Sequence, residues 1–255
     1  MKDLFSVAGK VALVTGGSRG IGRMIAHGLV ANGARTYVTS RKADACRQTA
    51  AELSREGECI ALPADLAQAE ERARLVAELG AREPKLHILV NNAGANWGAP
   101  LAEFPESGWD KVFDLNLKAI FFLTRDLLPA LERAGTADDP ARVVNVGSID
   151  GLTVPLLETY SYSAAKAALH HMTRVLARKL APRVTVNAIA PGPFESQMMK
   201  ATLERFGDSI RSANPRGRIG EPEDMAGATI FLCSRAAAYV TGAVIPVDGG
   251  LSTCR

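Results

Sequence analysis

Short, nearly uninterrupted apolar runs recur along the chain and alternate with longer segments of mixed polarity. Seven of these runs are rich in Val, Ile, Leu and Ala, which is typical of strands that are buried on both faces. They span Lys10–Thr15, Ala34–Ser40, Cys59–Ala64, Leu86–Asn91, Arg142–Ser148, Arg183–Ala190 and Ala243–Val247. The pattern therefore predicts a seven-stranded parallel sheet.

The segments between these runs have the mixed polarity of amphipathic helices. The predicted helices are Ile21–Asn32, Ala43–Glu56, Ala69–Leu79, Gly108–Arg133, Glu158–Leu180 and Pro222–Leu232. Strands and helices that alternate in this way predict right-handed βαβ units and a Rossmann-type, doubly wound α/β fold with helices on both faces. The 255 residues, 47% of them hydrophobic, contain no repeat or linker, so residues 1–255 are expected to form one domain.

Charge and composition exclude several classes of partner. The 30 basic and 27 acidic side chains are scattered, with a net charge of +3, so nucleic acid is not an expected partner. No apolar stretch approaches the length of a membrane span and no secretory signal is recognisable, which predicts a cytoplasmic protein with no membrane contact. Four widely spaced cysteines without clustered histidines indicate reduced thiols and no metal site.

A glycine-rich turn joins the first predicted strand to the first predicted helix, in the sequence Thr15-Gly-Gly-Ser-Arg-Gly-Ile-Gly22. Gly16 allows a tight turn, Gly20 lets the backbone approach a pyrophosphate, and Gly22 permits close packing of the helix. Glycines at such a junction also occur in turns that bind nothing. The flanking strand and helix favour a dinucleotide-phosphate site.

The end of the second predicted strand bears on which dinucleotide binds. Many NAD-binding folds have an acidic residue there that accepts hydrogen bonds from the adenosine ribose, whereas this chain has Ser40 followed by Arg41. A guanidinium donates charge-assisted hydrogen bonds to a 2′-phosphate, and Arg19 in the glycine turn adds a second positive charge. NADP(H) is therefore expected, although basic residues at this place are also common on solvated helix ends.

Tyr162 and Lys166 are four residues apart in a predicted helix, so their side chains project from one face. Because a phenol titrates near pH ~10, a neighbouring ammonium is expected to lower the pKa of Tyr162.

Ser148 closes a predicted strand, where it either stabilises a substrate carbonyl oxygen or only caps a turn. Asn116 lies in an apolar helical segment, where a buried amide requires partners and is able to distort the helix.

Together, the glycine turn with GxxxGxG spacing, the Asn91-Asn-Ala-Gly94 element, and the Ser, Tyr and Lys pattern resemble the short-chain dehydrogenase/reductase family over essentially the whole chain. The resemblance implies a catalytic tetrad of Asn116, Ser148, Tyr162 and Lys166. It also implies that Asn116 helps to hold a water linking Lys166 to solvent. The implied cofactor contacts are Gly16, Ser18, Arg19, Gly20, Ile21, Gly22, Ser40, Arg41, Asp65, Leu66, Asn92, Ala93, Gly94, Tyr162, Lys166, Pro191, Gly192, Phe194 and Ser196.

The substrate side is less constrained by the sequence. Residues 193–219 mix Met, Leu and Phe with charges, which fits a lid over an apolar substrate and equally fits a surface helix. The small residues beside Lys166 suit close helix packing, either internally or in the homotetramers that the resemblance implies. Within the family, the Thr-Gly-Gly-Ser-Arg-Gly-Ile-Gly turn and the Trp-Gly that follows Asn-Asn-Ala-Gly are most similar to bacterial 3-oxoacyl reductases, including the rhamnolipid-associated type.

These features predict NADPH-dependent reduction of a ketone, with a 3-oxoacyl thioester or related β-keto compound as the expected substrate. Two alternatives remain open: an alcohol or polyol dehydrogenase that works oxidatively, and an NADPH-binding sensor without catalysis. An acid at position 40 would have favoured the first alternative. The loss of a tetrad member would have favoured the second.

Overall fold

The structure, a computed structural model, describes residues 3–155 and 157–254. Seven strands form one sheet in the order β3-β2-β1-β4-β5-β6-β7, and every neighbouring pair is parallel. The strands are β1 (Val11–Thr15), β2 (Arg35–Thr39), β3 (Cys59–Ala61), β4 (Ile88–Asn91), β5 (Ala141–Val146), β6 (Val184–Pro191) and β7 (Val244–Val247). The predicted Rossmann-type sheet is thus confirmed.

Eight α-helices accompany the sheet in the described residues. They are α1 (Gly20–Ala31), α2 (Ala43–Leu53), α3 (Ala69–Arg82), α4 (Glu106–Phe113), α5 (Ala119–Ala134), α6 (Tyr160–Leu180), α7 (Lys200–Ala213) and α8 (Pro222–Cys233). None of the helices in residues 3–155 and 157–254 is both long and apolar enough to cross a bilayer.

Two hydrophobic cores lie on opposite faces of the sheet. In β1, Ala12 and Val14 pack with residues of α1, α2 and α8, whereas Leu13 packs on the other face with residues of α3 and α5. Successive side chains of a strand point to opposite faces, so a strand covered by helices on both sides must be apolar throughout. This is why the strands read as continuous apolar runs in the sequence.

The structure differs from the predicted elements in three places. The helix predicted over Gly108–Arg133 is divided into α4 and α5 by a π-helical segment, Asp114–Lys118. Strand β3 ends at Ala61, close before Pro63, which has no N–H to donate to the sheet. Within the predicted lid, α7 is a helix in which only Gly207 is buried, so this part has the exposure of a surface helix.

The strand order creates the place where a ligand binds in folds of this kind. β1 pairs with β2 on one side and with β4 on the other, so the connections that leave β1 and β4 run in opposite directions. A crevice opens outside the carboxyl ends of two such strands. The glycine turn follows β1 and the Asn91–Gly94 element follows β4, which brings both to this crevice.

Candidate active site

In the glycine turn between β1 and α1, no side chains cover the backbone at the glycine positions. Gly16 and Gly20 have backbone φ angles of 63° and 52°, which residues other than glycine rarely adopt. A Cβ on Gly22 would collide with the Asn92 side chain. The first turn of α1 contains no acidic residue, so its free N–H groups face an approaching anion without repulsion. These observations fit a bound dinucleotide phosphate.

Thr15 and Asn92 fasten the glycine turn to the loop after β4. The Thr15 hydroxyl accepts hydrogen bonds from the backbone N–H groups of Asn92 and Ala93, at 2.8 and 2.9 Å. The Asn92 side chain donates to the Thr15 carbonyl at 2.8 Å and to the Gly16 carbonyl at 3.3 Å. Asn92 therefore orients backbone on both sides of the crevice, and its amide nitrogen is already engaged with protein.

Asn116 lies in the π-helical segment with no exposed surface. Its side chain bonds the Ala95 backbone twice, accepting from the N–H at 2.7 Å and donating to the carbonyl at 2.9 Å. A Cβ on Gly94 would lie 3.2 Å from the Asn116 side-chain oxygen. The amide partners that burial requires are thus the backbone of the loop after β4, and the segment holds that loop in place.

Ser148, Tyr162 and Lys166 come together where β5 ends against α6. Ser148 follows β5 and accepts a hydrogen bond from the Asp150 N–H at 3.1 Å, so it does cap the turn Ile149–Gly151. Lys166, only 4% exposed, donates from Nζ to the Val146 carbonyl at 2.7 Å, and its Nζ lies 5.5 Å from the centre of the Tyr162 ring. Ser148 is close enough to Tyr162 to lower the pKa of its phenol. Three of the four predicted tetrad side chains are therefore neighbours.

The pKa of Tyr162 differs from the sequence-based expectation. Burial raises it to about 12, opposed by hydrogen bonding to Ser148, and the nearby Asp150 carboxylate raises it further. Burial also lowers the pKa of Lys166 to about 8. This direction is opposite to the one expected from the spacing of Tyr162 and Lys166, because desolvation of the phenolate is the largest contribution and Lys166 is not among the groups that shift this pKa. Tyr162 is held as a neutral phenol, which is the form that donates a proton.

The region beyond β2 contains the residues predicted to contact the adenosine. Arg41 and Asp65 line a cavity of about 590 Å³ together with Arg47 and Arg74. Arg41 is exposed, and the Ser40 hydroxyl donates to the Lys42 carbonyl at 3.2 Å. Asp65 accepts a hydrogen bond from the Ala67 N–H at 3.1 Å. Arg74 is paired with Glu71 and Glu78, and Arg47 with Asp44, so the exposed Arg41 is the guanidinium of this cavity that fits an anionic ribose phosphate.

Two predicted cofactor residues have side chains that point into the protein. Leu66 is buried in the core beside α3, and Phe194 is buried in the core of the opposite face, with its ring against Gly220. Neither side chain reaches the crevice, so only the backbone of these residues is free to contact a ligand. Ile21 likewise packs against the core from the start of α1. The side chains of Leu66, Phe194 and Ile21 therefore have a structural role, in packing the cores.

The segment after β6 closes the crevice from the other side. Pro191 ends β6, and the Gly192 N–H donates to the Val247 carbonyl at 3.0 Å. Ser196 lies against the glycine turn, since a Cβ on Gly20 would be 3.1 Å from the Ser196 Cβ. The Ser196 hydroxyl accepts from the Met199 N–H at 3.2 Å just before α7. The crevice is therefore bordered by the ends of β1, β4, β5 and β6.

Sequence reasoning missed several residues that shape this site. Thr15 and Ala95 hold the loop after β4, and the Val146 carbonyl receives Lys166. Asp150 and His170 lie within electrostatic range of Lys166. A polar residue at the end of an apolar strand was a usable signal for Thr15. Within residues 3–155 and 157–254, no His, Cys, Asp and Glu side chains are grouped so as to hold a metal ion.

Comparison with known proteins extends these observations. The family model described as enoyl-(acyl carrier protein) reductase matches residues 16–252. The chain is 47% identical to the rhamnolipids biosynthesis 3-oxoacyl-[acyl-carrier-protein] reductase of Pseudomonas aeruginosa, covering 98% of this chain and 99% of that protein. It is 38% identical to galactitol 2-dehydrogenase (L-tagatose-forming) of Cereibacter sphaeroides, covering 98% and 97%.

Among solved structures, the RhlG/NADP active-site complex of Pseudomonas aeruginosa superposes with a TM-score of 0.95 at 47% identity, covering 99% of this chain and 100% of that one. Both the sequence matches and the fold match extend over nearly the entire chain, including the glycine turn and the Ser148, Tyr162 and Lys166 cluster. The chain belongs to the short-chain dehydrogenase/reductase family and is an oxidoreductase.

Proposed function

We propose that the protein uses NADPH to reduce a ketone to a secondary alcohol, with a 3-oxoacyl thioester or a related β-keto compound as substrate. The observation that carries this proposal is the partly buried phenol of Tyr162, whose raised pKa keeps it protonated, beside the buried Ser148 and Lys166. The relatedness to a 3-oxoacyl reductase over the full chain supports the substrate class. The absence of an acid at Ser40 and the exposed Arg41 support NADPH over NADH.

The proposed cofactor site runs along the crevice. The N–H groups at the start of α1 and the Gly16–Gly22 turn bind the pyrophosphate, and Arg41 and Arg19 attract the 2′-phosphate. The backbone at Asn92–Gly94 and at Pro191–Ser196 borders the nicotinamide end. When bound, the cofactor supplies the hydride that the carbonyl carbon accepts.

The side chains of the chain handle the proton and the developing charge. The Tyr162 hydroxyl donates its proton to the carbonyl oxygen, while the Ser148 hydroxyl donates a hydrogen bond to that oxygen and stabilises its negative charge. The Lys166 ammonium stabilises the phenolate that Tyr162 leaves behind. Asn116 positions the backbone at Ala95 and orders a water through which the proton on Tyr162 is replaced. Residues 193–219 close over the substrate as a lid.

The test is a matched assay of ketone reduction, followed by loss of nicotinamide absorbance with ethyl acetoacetate and acetoacetyl-CoA. We expect turnover with NADPH in the wild-type protein and a loss of ~10³-fold or more in Tyr162→Phe, with NADPH affinity retained, because the ring remains and the proton is gone. Tyr160→Phe is the control, since Tyr160 bonds Glu158 at 2.8 Å and lacks a lysine four residues later.

Two results would contradict the proposal. Oxidation of a polyol with NAD⁺ that exceeds every ketone reduction would favour the oxidative dehydrogenase, an alternative supported by the relatedness to galactitol 2-dehydrogenase. Tight NADPH binding without turnover of any ketone or alcohol would favour a sensor.

We also propose that the protein is a cytoplasmic homotetramer. Trp109, Phe121 and Val175 are large apolar side chains that are at least 41% exposed on α4, α5 and α6, which supports an interface on these helices. Buried, unpaired Cys46, Cys59 and Cys233 suit a reducing compartment. Light scattering on the purified protein is expected to give four times the chain mass, and a monomer mass would refute the assembly.

A further inference from the structure

Asp150 is fixed beside the reacting groups by the turn Ile149–Gly151. Its backbone N–H donates to the Ser148 hydroxyl at 3.1 Å. On the other side of the turn, a Cβ on Gly151 would lie 2.7 Å from the Lys166 carbonyl carbon and 2.8 Å from the Ala167 nitrogen. The turn is therefore pressed against α6 and has no room to move Asp150 away from Ser148.

The carboxylate of Asp150 is half-buried and has no hydrogen-bonding or ion-pair partner within residues 3–155 and 157–254. Other partly buried acids in the chain are bonded: Asp139 to Lys10 and Arg142, and Asp224 to Arg218. The nearest cation, Lys166, donates instead to the Val146 carbonyl. Among the described residues, the Asp150 carboxylate is thus left free next to the proposed catalytic serine.

The charge of Asp150 reaches the reacting groups. Burial raises the pKa of Asp150 and the Lys166 ammonium lowers it. In return, Asp150 raises the pKa of both Tyr162 and Lys166. In the proposed mechanism, Tyr162 and Ser148 both bond the carbonyl oxygen of the substrate. The substrate atoms next to that carbonyl therefore also lie in the electric field of the Asp150 carboxylate.

Exposed apolar side chains lie on the loop that precedes α6 and on the loop that follows β4. The loop before α6 exposes Val154 at 87% and Leu157 at 47%, and the loop after β4 exposes Leu101 at 71%. The two loops are joined by a hydrogen bond from the Ala99 N–H to the Glu158 carbonyl at 3.3 Å. Exposed apolar side chains on these loops suit the hydrocarbon chain of a substrate, whereas the half-buried Asp150 beside Ser148 presents a negative charge.

We propose that Asp150 is a specificity-determining residue that rejects β-keto acids with a free carboxylate beside the reacting ketone and admits the corresponding neutral thioesters and esters. The inference rests on the proposed ketone reductase function. A substrate carboxylate two bonds from the carbonyl carbon meets a like charge in a partly desolvated site, which is expected to weaken productive binding by about tenfold or more.

The test compares acetoacetate with ethyl acetoacetate, which share the β-ketone and differ in charge. The quantity measured is the ratio of kcat/KM for the ester to kcat/KM for the acid, with NADPH, at about pH 8, where carboxylates are ionised. We expect this ratio to fall about tenfold in Asp150→Asn, mainly because acetoacetate improves. A change in the proton chemistry of Tyr162 affects both ketones alike, so the ratio isolates the charge effect.

Asp138→Asn is the matched control. Asp138 is exposed and precedes β5, at the edge of the sheet opposite Ser148, so its loss removes one carboxylate without changing the ratio. Asp150→Ser serves as a second variant if the Asn variant does not fold, as judged by its melting temperature.

An ester-to-acid ratio that stays within about twofold in both Asp150 variants would overturn the inference, because a like charge near the ketone costs more than this. The same holds if acetoacetate remains unreduced in these variants while the ester is turned over. If the wild-type protein reduces neither compound nor acetoacetyl-CoA, the proposed function itself fails and the inference falls with it.

Discussion

Individual residues at the site show how burial selects protonation states. Tyr162 and Lys166 lie one turn apart on α6, and the same desolvation raises the pKa of the phenol to about 12 and lowers that of the ammonium to about 8. Burial favours the neutral form of each group, so an acid and a base move in opposite directions. The result is a phenol that keeps its proton until a developing oxyanion draws it away.

At the ribose end of the crevice, Arg41 is the residue that we propose decides cofactor choice. Arg41→Ala is expected to raise KM for NADPH about tenfold or more and to change KM for NADH little, because only NADPH has a 2′-phosphate for the guanidinium to bind. Arg55→Ala removes the same charge from an exposed position just beyond the far end of α2 and should leave both constants unchanged. Equal losses for NADPH and NADH in Arg41→Ala would argue against phosphate recognition.

Among the elements, the π-helical segment Asp114–Lys118 is explained by the hydrogen bonds of Asn116. It turns the Asn116 side chain inward, where both polar atoms bond the Ala95 backbone at 2.7 and 2.9 Å. The wider turn breaks the regular helix between α4 and α5, and the two hydrogen bonds of the buried Asn116 side chain to the loop after β4 offset that cost. The segment links the helix layer to the loop after β4 that borders the crevice.

Asn116→Ala is therefore expected to lower the free energy of unfolding by about 2 kcal/mol, because it leaves the Ala95 N–H and carbonyl without their partners. Backbone amide exchange at Ala95 should accelerate, and reductase activity should fall as the loop loosens. Lys118→Ala is the control on the same segment: its exposed ion pair with Asp114 contributes little. Urea denaturation and hydrogen exchange measure both effects, and equal stability of the two variants would refute this role for Asn116.

At the scale of the whole molecule, a histidine packed behind the site is expected to make stability depend on pH. His170 is 2% exposed, lies against Gly147 and Gly151, and has no hydrogen-bonding partner for either ring nitrogen in the described residues. Burial, helped by the nearby Lys166 and Arg174, lowers its pKa from 6.5 to about 4. The folded protein holds this imidazole neutral, whereas the unfolded chain protonates it.

Because the folded pKa is depressed, the unfolded state binds the proton first, and stability is lost as pH falls from 6.5 towards about 4. Between about pH 7.5 and about pH 5, His170 is expected to account for a loss of about 2 kcal/mol. His170→Gln should remove this part of the pH dependence, whatever its stability at neutral pH. His171→Gln, at the exposed neighbouring position, should keep it. Urea denaturation at the two pH values measures the free energy of unfolding of each protein. An equal loss of stability in the wild type, His170→Gln and His171→Gln would contradict the assignment to His170.

The local pattern of the chain was sufficient for the order and type of most elements, because strands buried on both faces must be apolar and the helices between them must cover them. It also located the glycine turn, Ser148, Tyr162 and Lys166, since spacing along a helix or position at a strand end places such side chains without knowledge of the rest. The limits of Gly108–Arg133 and of β3 were less certain, because they depend on a buried amide and on a proline near the sheet edge.

Only the tertiary structure decided what surrounds each of these residues. Leu66 and Phe194 point into the two cores, and Asn116 finds its partners in a loop 21 residues earlier. The Asp150 carboxylate has no partner in residues 3–155 and 157–254. The pKa of Tyr162 moves upward because desolvation depends on atoms contributed by distant segments, which residue spacing does not reveal. Sequence alone located the glycine turn, Ser148, Tyr162 and Lys166, and three-dimensional packing determined their charge, their partners and the substrate charge they are expected to accept.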